Sequence, residues 1–397
     1  GRPGPVVIDI TKNAQIEEFN YQSTKITSLP NFKPSPEIKE KTIERAAEVI
    51  NKAERPLILC GHGVLISGCE KELETLAELA DIPIASTLHG LSAIPTSFPK
   101  YVGMLGMHGN YGPNVLTNEA DVIIAIGMRF DDRVTGKLST YATEATVIHI
   151  EIDAAEIHKN VHAAVPINAD AKDALVALLP HIEKNNHEQW FSRFKECDQM
   201  EMEKVIENDI HPKEGKIKMA EVVHQVSEKT NGQAVVVGDV GQHQMIAARY
   251  YRYEQPHSWI TSGGLGTMGF ALPAAMGAKV GAPERTVIAF IGDGCFQMTL
   301  QELGTIAQEN LPVKAIILNN NFLGMVRQWQ ELFFDKRYSF VEMTNPDFVA
   351  ITKGFGIPAE RVNEREELDE ALNRMLETEG PYLLEIMVEK EGNVFPM

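Results

Sequence analysis

The chain has 397 residues, of which 44% are hydrophobic and 23% charged, so it holds enough apolar material for two or three globular domains. Its net charge of −18 argues against nucleic-acid or anionic-membrane partners, because both attract basic surfaces. The four cysteines form no CxxC pair, and no stretch approaches the roughly 18 consecutive apolar residues of a membrane helix, so we expect reduced thiols in a cytoplasmic protein without a membrane partner.

The N-terminal range 1–35 is predicted to be the end of a missing N-terminal domain followed by a linker. Residues 1–10, GRPGPVVIDI, resemble a loop that runs into a buried strand, and residues 11–34 are polar and irregular. Because the first residues already belong to a predicted loop and strand, and no start methionine precedes them, we expect an upstream portion to be missing.

A first domain is predicted over residues 36–180. Ser35 and Pro36 predict a helix start, as an N-cap and a first-turn residue. Helical patterns then alternate with the short apolar runs RPLILCG, IPIAST, VIIAIG and TVIHIEID. This alternation indicates a parallel sheet with helices on both faces. The polar range 181–215, with a helical EQWFSRFKE inside it, is predicted to be a linker.

A second α/β series is predicted over residues 216–397. The apolar runs QAVVVGDVG, RTVIAFIGDG, VKAIILNNN and PYLLEIMVE alternate with helical patterns such as AEVVHQVSEKT. The predicted fold class is therefore α/β, with two doubly wound parallel-sheet domains. In open parallel sheets, ligands bind where strands end.

Two strands of the second domain end in polar residues. One apolar run ends at Asp293 within Gly-Asp-Gly, and the other ends in Asn319–Asn321. A carboxylate, the Asn320 amide oxygen and the next backbone carbonyl are ligands that Mg²⁺ takes together with phosphate oxygens. Thr299–Glu302, TLQE, matches a capping box and predicts a helix N-terminus nearby for phosphate. The pattern predicts a Mg²⁺–diphosphate site, although Gly-Asp-Gly alone would indicate a turn.

This spacing resembles the diphosphate-binding motif of thiamine diphosphate enzymes. The segments GDVGQHQM, TSGGLGTMGFALPAAMGA, GDGCFQMTLQELGT and LNNNFLGMVRQWQELF further resemble the acetohydroxyacid synthase (acetolactate synthase) catalytic large-subunit family. In the first domain LGMHG and GMRFDDRVTGK resemble the same family, and RFDDRVTG with GMVRQWQ separates it from most thiamine relatives. The resemblance covers essentially the full chain.

The resemblance implies thiamine diphosphate and Mg²⁺ as cofactors. Asp293, Asn320 and the carbonyl of Phe322 would hold the metal. Met268 would keep thiamine bent, so that its amino group can remove the C2 proton. A methionine among small residues is usually core, but the loop position of Met268 between Gly266 and Gly269 favours the cofactor role. His243 could equally be solvated. The implied thiamine diphosphate positions are Val240, Gly241, Gln242, His243, Gly266, Met268, Gly292, Gly294 and Cys295.

The resemblance also implies FAD in the central domain, without redox use in the reaction. The residues alone indicate a nucleotide site only weakly, because CGHG does not complete a GxGxxG pattern. The acid that ends the buried run HIEID is a stronger signal, because it suits a ribose hydroxyl. The implied FAD positions are Arg2, Gly61, His62, Gly63, Thr87, Leu88, Met107, His108, Gly127, Arg129, Asp131, Arg133, Val134, Glu151, Ile152, Glu156, Asp170 and Ala171.

For the substrate, the resemblance implies a pocket for a second 2-ketoacid. Trp329 would favour 2-ketobutyrate over pyruvate, with Met325 one turn before it, and Arg133 would bind the acceptor carboxylate. Met107 joins Met268 and these three in the implied catalytic set. The alternative for Trp329 is an ordinary core position, and for Arg133 a surface ion pair with Asp131 or Asp132.

The implied reaction is decarboxylation of pyruvate and condensation of the two-carbon unit with a second 2-ketoacid, the first common step of branched-chain amino acid (isoleucine and valine) biosynthesis. The family takes its catalytic glutamate from an N-terminal domain across a subunit interface. No part of this chain reads as that domain, so we expect a homo-oligomeric enzyme (dimer or tetramer), a fragment inactive alone, and a regulatory small subunit as a further partner.

Two other functional classes fit the residues less well. One is another thiamine enzyme, such as a pyruvate oxidase, in which FAD would be reduced by pyruvate. The other is a non-catalytic cofactor-binding or regulatory module. A plain NAD dehydrogenase fits least, because nothing in the sequence indicates hydride chemistry.

Overall fold

A computed structural model describes residues 1–23, 35–390 and 392–394. The strand predicted within residues 1–10 is wrong: the segment forms no strand, and Val6 is 84% exposed. A strand forms only by pairing, and no described strand lies beside it. Helix α1, Lys12–Ile16, follows it. Residues 24–34 of the predicted linker lie outside the described residues.

The first sheet has six parallel strands in the order β3-β2-β1-β4-β5-β6. The strands at its two edges were not predicted, because neither is a continuous buried run and one contains a proline. The bounds are β1 Pro56–Cys60, β2 Ile84–Ser86, β3 Tyr101–Met104, β4 Val122–Ile126, β5 Thr146–Glu151 and β6 Val165–Asn168.

Helices cover both faces of this sheet. Along β4, Ile124 faces one core cluster and Ile123 the other, as the two-residue period of a strand requires. The helices are α2 Glu40–Asn51, α3 His62–Ser67, α4 Glu70–Ala80, α5 Tyr111–Leu116, α6 Asp132–Thr135 and α7 Ala171–Leu178, with 3-10 turns at Leu88–Gly90, Leu138–Thr140 and Leu179–His181.

The predicted start of the first long helix at Ser35 and Pro36 is wrong. Helix α2 begins at Glu40, because the backbone at Lys39 is still extended, with φ −94° and ψ 114°. Ile38 lies before the helix and packs against the core from there.

The range 181–215 is largely helical. It holds α8 Glu188–Glu201, a π-helical turn over Met202–Ile206 and α9 Glu207–Ile210. Trp190 and Phe194 of α8 are buried in the core of the first domain, and the Trp190 indole donates to the carbonyl of Pro56 at 2.9 Å. Helix α8 therefore packs with the first domain, whereas Ile210 of α9 lies in a core cluster of the second domain. The predicted domain boundaries stay a prediction.

The second sheet also has six parallel strands, in the order β11-β12-β10-β9-β7-β8. In β9 and β10 Gly292 lies opposite Leu318, so both strands end at the same edge of the sheet. The bounds are β7 Val235–Gly238, β8 Trp259–Thr261, β9 Val287–Gly292, β10 Val313–Asn319, β11 Ala359–Val362 and β12 Tyr382–Met387.

Core clusters lie on both faces of the second sheet as well, so the predicted α/β class with two doubly wound parallel sheets is confirmed. Among the described residues, no helix combines the length and apolarity needed to cross a membrane. The helices are α10 Met219–Lys229, α11 Gln242–Tyr250, α12 Ala271–Gly281, α13 Asp293–Thr299, α14 Leu303–Gln308, α15 Gly324–Phe333, α16 Phe348–Gly354 and α17 Leu368–Glu377, with 3-10 turns at Leu300–Glu302 and Arg365–Glu367.

The capping box predicted at Thr299–Glu302 does not form. The helix starts six residues earlier, at Asp293, directly after β9, and Thr299 is its last residue. The Thr299 hydroxyl instead donates to the carbonyl of Gly269 at 3.0 Å. The helix N-terminus therefore begins at the predicted metal ligand itself.

Candidate active site

The carboxyl ends of β9 and β10 bring the predicted metal ligands to one edge of the second sheet. Asp293 and Asn320 are both buried, and Phe322 is half-buried beside them. The Asn320 amide oxygen accepts from the backbone N–H of Phe322 at 3.1 Å. Asn321 between them has φ +57°, a left-handed conformation that asparagine tolerates. The resulting tight turn keeps the oxygen-bearing groups near the strand end.

Asn345 is a site residue that the sequence did not predict. Its amide nitrogen donates to Asp293 Oδ2 at 2.7 Å and lies 3.1 Å from the side-chain oxygens of both Asn319 and Asn321. Gln297 donates to the Asn345 side-chain oxygen at 2.9 Å. Three oxygens thus converge on one amide nitrogen. Asn345 comes from the loop before α16, and no local sequence signal marks it.

Burial raises the pKa of Asp293 to about 6, although the hydrogen bond from Asn345 opposes the shift. A carboxylate removed from water favours its neutral form unless a positive charge lies near it. A bound cation would supply that charge. The buried Asp293 carboxyl and the surrounding amide oxygens therefore fit a hard divalent metal ion.

His243, at the start of α11, has a polar atom without a partner. Its ring is buried, and Nε2 makes no hydrogen bond with any described residue. Burial lowers the pKa of His243 to about 4, so the ring is neutral near pH 7. A Cβ added to Gly241 or Gly292 would lie 2.5 or 2.6 Å from the ring, so both glycines make room for it. The unpartnered nitrogen fits a ligand with oxygen acceptors, such as a diphosphate.

Asp239, at the end of β7, holds the neighbouring loop in place. Its carboxylate accepts from the backbone N–H groups of Val240, Gly269 and Ala271 at 2.8, 2.9 and 3.0 Å. The Cys295 thiol donates to the carbonyl of Val240 at 3.1 Å. Ligand atoms of Asp239, His243 and Cys295 lie within 4.8 Å of one another, but those of Asp239 and Cys295 are already engaged in these bonds. Asp239 was missed, although GDVG repeats the pattern of a buried run ending in an acid.

A cavity of about 1070 Å³ extends from the first sheet to the second. Most predicted FAD positions line it, together with four predicted thiamine or substrate positions of the second domain. The lining residues among those predicted are Arg2, His62, Gly63, Thr87, Leu88, Met107, His108, Gly127, Arg129, Asp131, Arg133, Val134, Glu151, Ile152, Asp170, Ala171, Val240, Gly266, Met325 and Trp329.

The other predicted positions lie outside the cavity wall. Met268 packs against a core cluster of the second domain, which is the alternative that the residues alone allowed. The remaining predicted positions do not line the cavity: Gly61, Glu156, Gly241, Gln242, His243, Gly292, Asp293, Gly294, Cys295, Asn320 and Phe322.

On the first-domain side, two strand ends meet through glycines. A Cβ on Gly63 would lie 2.5 Å from the Cα atom of Gly127, which has φ +59°, so the loops after β1 and β4 touch through backbone. Glu151, at the end of β5, has a pKa raised by burial. Asp170 caps α7 and accepts from Ser67 at 2.6 Å. Glycine backbone and acidic side chains at the carboxyl ends of parallel strands are the groups that commonly bind a nucleotide, so this end of the cavity fits one.

His108 reinforces that fit. Both of its ring nitrogens lack hydrogen-bond partners among the described residues, and the side chain lines the cavity. Burial, with smaller contributions from Arg249 and Arg133, lowers the pKa of His108 to about 4. A neutral histidine in the cavity wall offers one N–H donor and one nitrogen acceptor to a polar ligand group.

Arg133 and Trp329 meet inside the cavity. The Arg133 guanidinium lies over the Trp329 ring, 5.9 Å from its centroid. Arg133 also pairs with Asp132 at 3.4 Å, so the surface ion pair considered as its alternative is present too. Trp329 is half-buried and lines the cavity with Met325, one turn earlier on α15, and it is not a core residue.

Two family models match the chain. Residues 43–178 match the central domain of thiamine pyrophosphate enzymes, and residues 239–386 match their C-terminal TPP-binding domain. Each match falls on one of the two sheets described above. The fold and the site define a thiamine diphosphate-dependent enzyme.

Curated relatives narrow that class. The chain is 41% identical over 399 residues to the acetolactate synthase isozyme 2 large subunit of Escherichia coli, covering 100% of this chain and 70% of the relative. It is 42% identical over 398 residues to a probable acetolactate synthase large subunit of Methanocaldococcus jannaschii, covering 98% and 67%. Acetolactate synthase 1 of Zea mays is 41% identical over 416 residues, covering 100% and 64%. The chain belongs to the acetolactate synthase large-subunit family.

Proposed function

We propose that this chain supplies the diphosphate, metal and flavin sites of an acetolactate synthase. The observation that carries the proposal is the meeting of Asp293 and Asn319–Asn321 at one sheet edge, where Asn345 bridges them. In the proposed reaction pyruvate is decarboxylated, and its two-carbon unit is joined to a second 2-ketoacid, either pyruvate or 2-ketobutyrate.

Thiamine diphosphate, when bound, supplies the carbanion stabilisation that decarboxylation and carbon–carbon bond formation need. Asp293, Asn320 and the Phe322 carbonyl would hold Mg²⁺. The buried Nε2 of His243 would bind a diphosphate oxygen, which would give this atom the hydrogen bond it lacks among the described residues. Gly241 and Gly292 keep the space that the His243 ring occupies.

We propose FAD as the ligand on the first-domain side of the cavity. The support is the glycine contact between Gly63 and Gly127, the acid Glu151 at a strand end and the unpartnered His108. The proposed reaction, decarboxylation followed by carbon–carbon bond formation, involves no net oxidation or reduction, so the flavin would keep its oxidation state. A pyruvate oxidase would instead reduce it, and that difference separates the two activities experimentally.

For the acceptor, we propose that Arg133 binds the carboxylate of the second 2-ketoacid and that Trp329 contacts its alkyl group. The facing positions of the two side chains in one cavity support this assignment. Guanidinium groups bind carboxylates through paired hydrogen bonds. An indole offers an apolar surface that a longer alkyl chain covers better.

We further propose a homo-oligomer with active sites at subunit interfaces, joined by a regulatory small subunit. Exposed apolar side chains support an interface: Leu265, which lines the cavity, is 94% exposed, and Phe340 is 98% exposed. Sedimentation of the full-length protein, with and without FAD, measures its assembly. The cytoplasmic location expected from the cysteine content stays a prediction.

The test is acetolactate formation from pyruvate, with Mg²⁺ and thiamine diphosphate, by the full-length protein that carries this sequence. Asp293→Ala should abolish both CO₂ release and acetolactate formation, whereas Asp369→Ala, an exposed acid in the same domain, should change neither. Rapid flavin reduction by pyruvate without acetolactate would replace the proposal by a pyruvate oxidase. Failure of the full-length wild-type protein to bind thiamine diphosphate or turn over would favour the non-catalytic module.

A further inference from the structure

Glu385 is a buried acid that the proposed chemistry does not use. It lies in β12, next to β10, and its side chain is 1% exposed. A buried carboxylate is costly unless it is paired. Arg361 donates to Glu385 Oε2 at 2.8 Å, and the Asn319 amide donates to Glu385 Oε1 at 2.7 Å. Both oxygens of Glu385 are therefore engaged.

The bond to Glu385 decides which way the Asn319 amide points. An ionised carboxylate only accepts hydrogen bonds, so Asn319 must turn its NH₂ group toward Glu385 and its oxygen away. That oxygen accepts from the backbone N–H of Asn321 at 3.0 Å and lies 3.1 Å from the Asn345 amide nitrogen. With the amide reversed, its NH₂ group would face two donors. The carboxylate removes that alternative.

Asn319 then supports the groups proposed to hold the metal. Its bond to the Asn321 N–H braces the left-handed turn that carries Asn320 and Phe322. Its contact with Asn345 helps to hold the amide that donates to Asp293. A chain of hydrogen bonds therefore runs from Arg361 through Glu385, Asn319 and Asn345 to Asp293.

We propose that Glu385 is a positioning residue for the metal–diphosphate site. It touches neither metal nor substrate, and it acts by fixing the orientation of Asn319. This inference rests on the proposed function, since it assumes that Asp293 and Asn320 bind Mg²⁺ with thiamine diphosphate. Groups behind a metal's direct ligands typically change its affinity by about ten- to a hundredfold when replaced.

The experiment measures the Mg²⁺ concentration at which the full-length protein binds thiamine diphosphate, with binding detected by tryptophan fluorescence or calorimetry. The urea midpoint of unfolding is measured on the same proteins. In Glu385→Gln the Mg²⁺ requirement should rise about tenfold. Asn319→Ala cuts the same link but keeps the Glu385–Arg361 pair, so it tests the proposal even if the first variant fails to fold.

A matched control exists in the same domain. Glu221 is also buried and accepts from Arg365 Nε at 2.8 Å, and it does not line the cavity. Glu221→Gln should lower the urea midpoint but leave the Mg²⁺ requirement unchanged. The double variant Glu385→Gln, Asn319→Asp exchanges donor and acceptor across the bond and should restore a requirement close to that of the wild type.

The outcomes separate the two proposals. If the wild type binds thiamine diphosphate with Mg²⁺ but both single variants need no more Mg²⁺ than Glu221→Gln does, Glu385 only stabilises the fold and the positioning role is overturned. If the wild type itself shows no Mg²⁺-dependent binding, the proposed function fails first, and the positioning role fails with it.

Discussion

The guanidinium of Arg133, in the first domain, lies over the indole ring of Trp329, in the second, 5.9 Å from the ring centroid. The Arg133 side chain is 61% exposed, and a cation–π contact at an exposed site contributes about 0.5–1 kcal/mol. Because the two side chains come from different sheets and line one cavity, the contact joins the domains where the acceptor is proposed to bind.

Trp329→Leu should reduce the preference for 2-ketobutyrate over pyruvate as acceptor. One methylene in an apolar pocket is worth about 1–3 kcal/mol, so the ratio of products should fall by about tenfold or more. Competition between the two ketoacids, with both products quantified, measures it. Phe334→Leu, an exposed position just after α15, should leave the ratio unchanged. An unaltered ratio in the Trp329 variant would remove Trp329 from the acceptor pocket.

Arg133→Gln should raise the KM for the acceptor and lower kcat/KM by about ten- to a hundredfold, because a hydrogen bond to a charged group contributes about 1.5–3 kcal/mol. Asp132→Asn removes the surface ion pair of Arg133 and keeps the guanidinium. Steady-state kinetics on both variants therefore decide between the two interpretations of Arg133. Equal losses in both would favour the ion pair as its main role.

The buried Asp293 carboxyl should make the cofactor-free chain less stable as pH rises. Its pKa is raised by burial from 3.8 to about 6, so the folded state holds the proton more tightly than the unfolded state. The stability from that proton is present below about pH 4 and is lost as pH rises through about 6. Relative to Asp293→Asn, the wild type should lose about 2–3 kcal/mol of unfolding free energy over this window.

Urea denaturation of both proteins at about pH 4 and about pH 7 measures this difference. Asp369→Asn is the control, because Lys229 lowers the pKa of this exposed acid and the change should have the opposite sign. A wild-type-to-variant difference that does not depend on pH would mean that Asp293 titrates normally.

Gly292→Ala should destabilise the fold by about 1–3 kcal/mol, because the new Cβ would lie 2.6 Å from the His243 ring. It should also weaken thiamine diphosphate binding, since the ring would be displaced from its position. Gly281→Ala, where nothing lies within 4 Å, is the matched control. Adding His243→Ala should relieve the clash, and a double-mutant cycle in urea measures the coupling. Strictly additive effects would contradict the contact.

The sequence was sufficient to predict the sheet edge that carries Asp293 and Asn320. Buried parallel strands appear as continuous apolar runs, and the polar residue that ends each run marks the edge. The half-buried edge strands β3 and β6 were missed for the same reason, because they lack that continuity.

Residues joined to the site only through long-range contacts could not be predicted in this way. Asn345 reaches Asp293 across 52 positions, and Glu385 reaches Asn319 across 66. Neither residue stands in a local pattern that distinguishes it from a loop or strand residue. The opposite error occurred at residues 1–10, where an apolar run suggested a buried strand but no described strand pairs with it.

The register between β9 and β10, with Gly292 opposite Leu318, bears on how this site tolerates changes in chain length. One residue inserted within either strand would shift its end by about 3.3 Å and turn its side chains to the other face of the sheet. The turn at residues 309–312, between α14 and β10, lies away from that edge and could lengthen without moving Asp293 or Asn319. The number of residues between the acid and the asparagines can therefore drift during evolution, while the lengths of the two strands cannot.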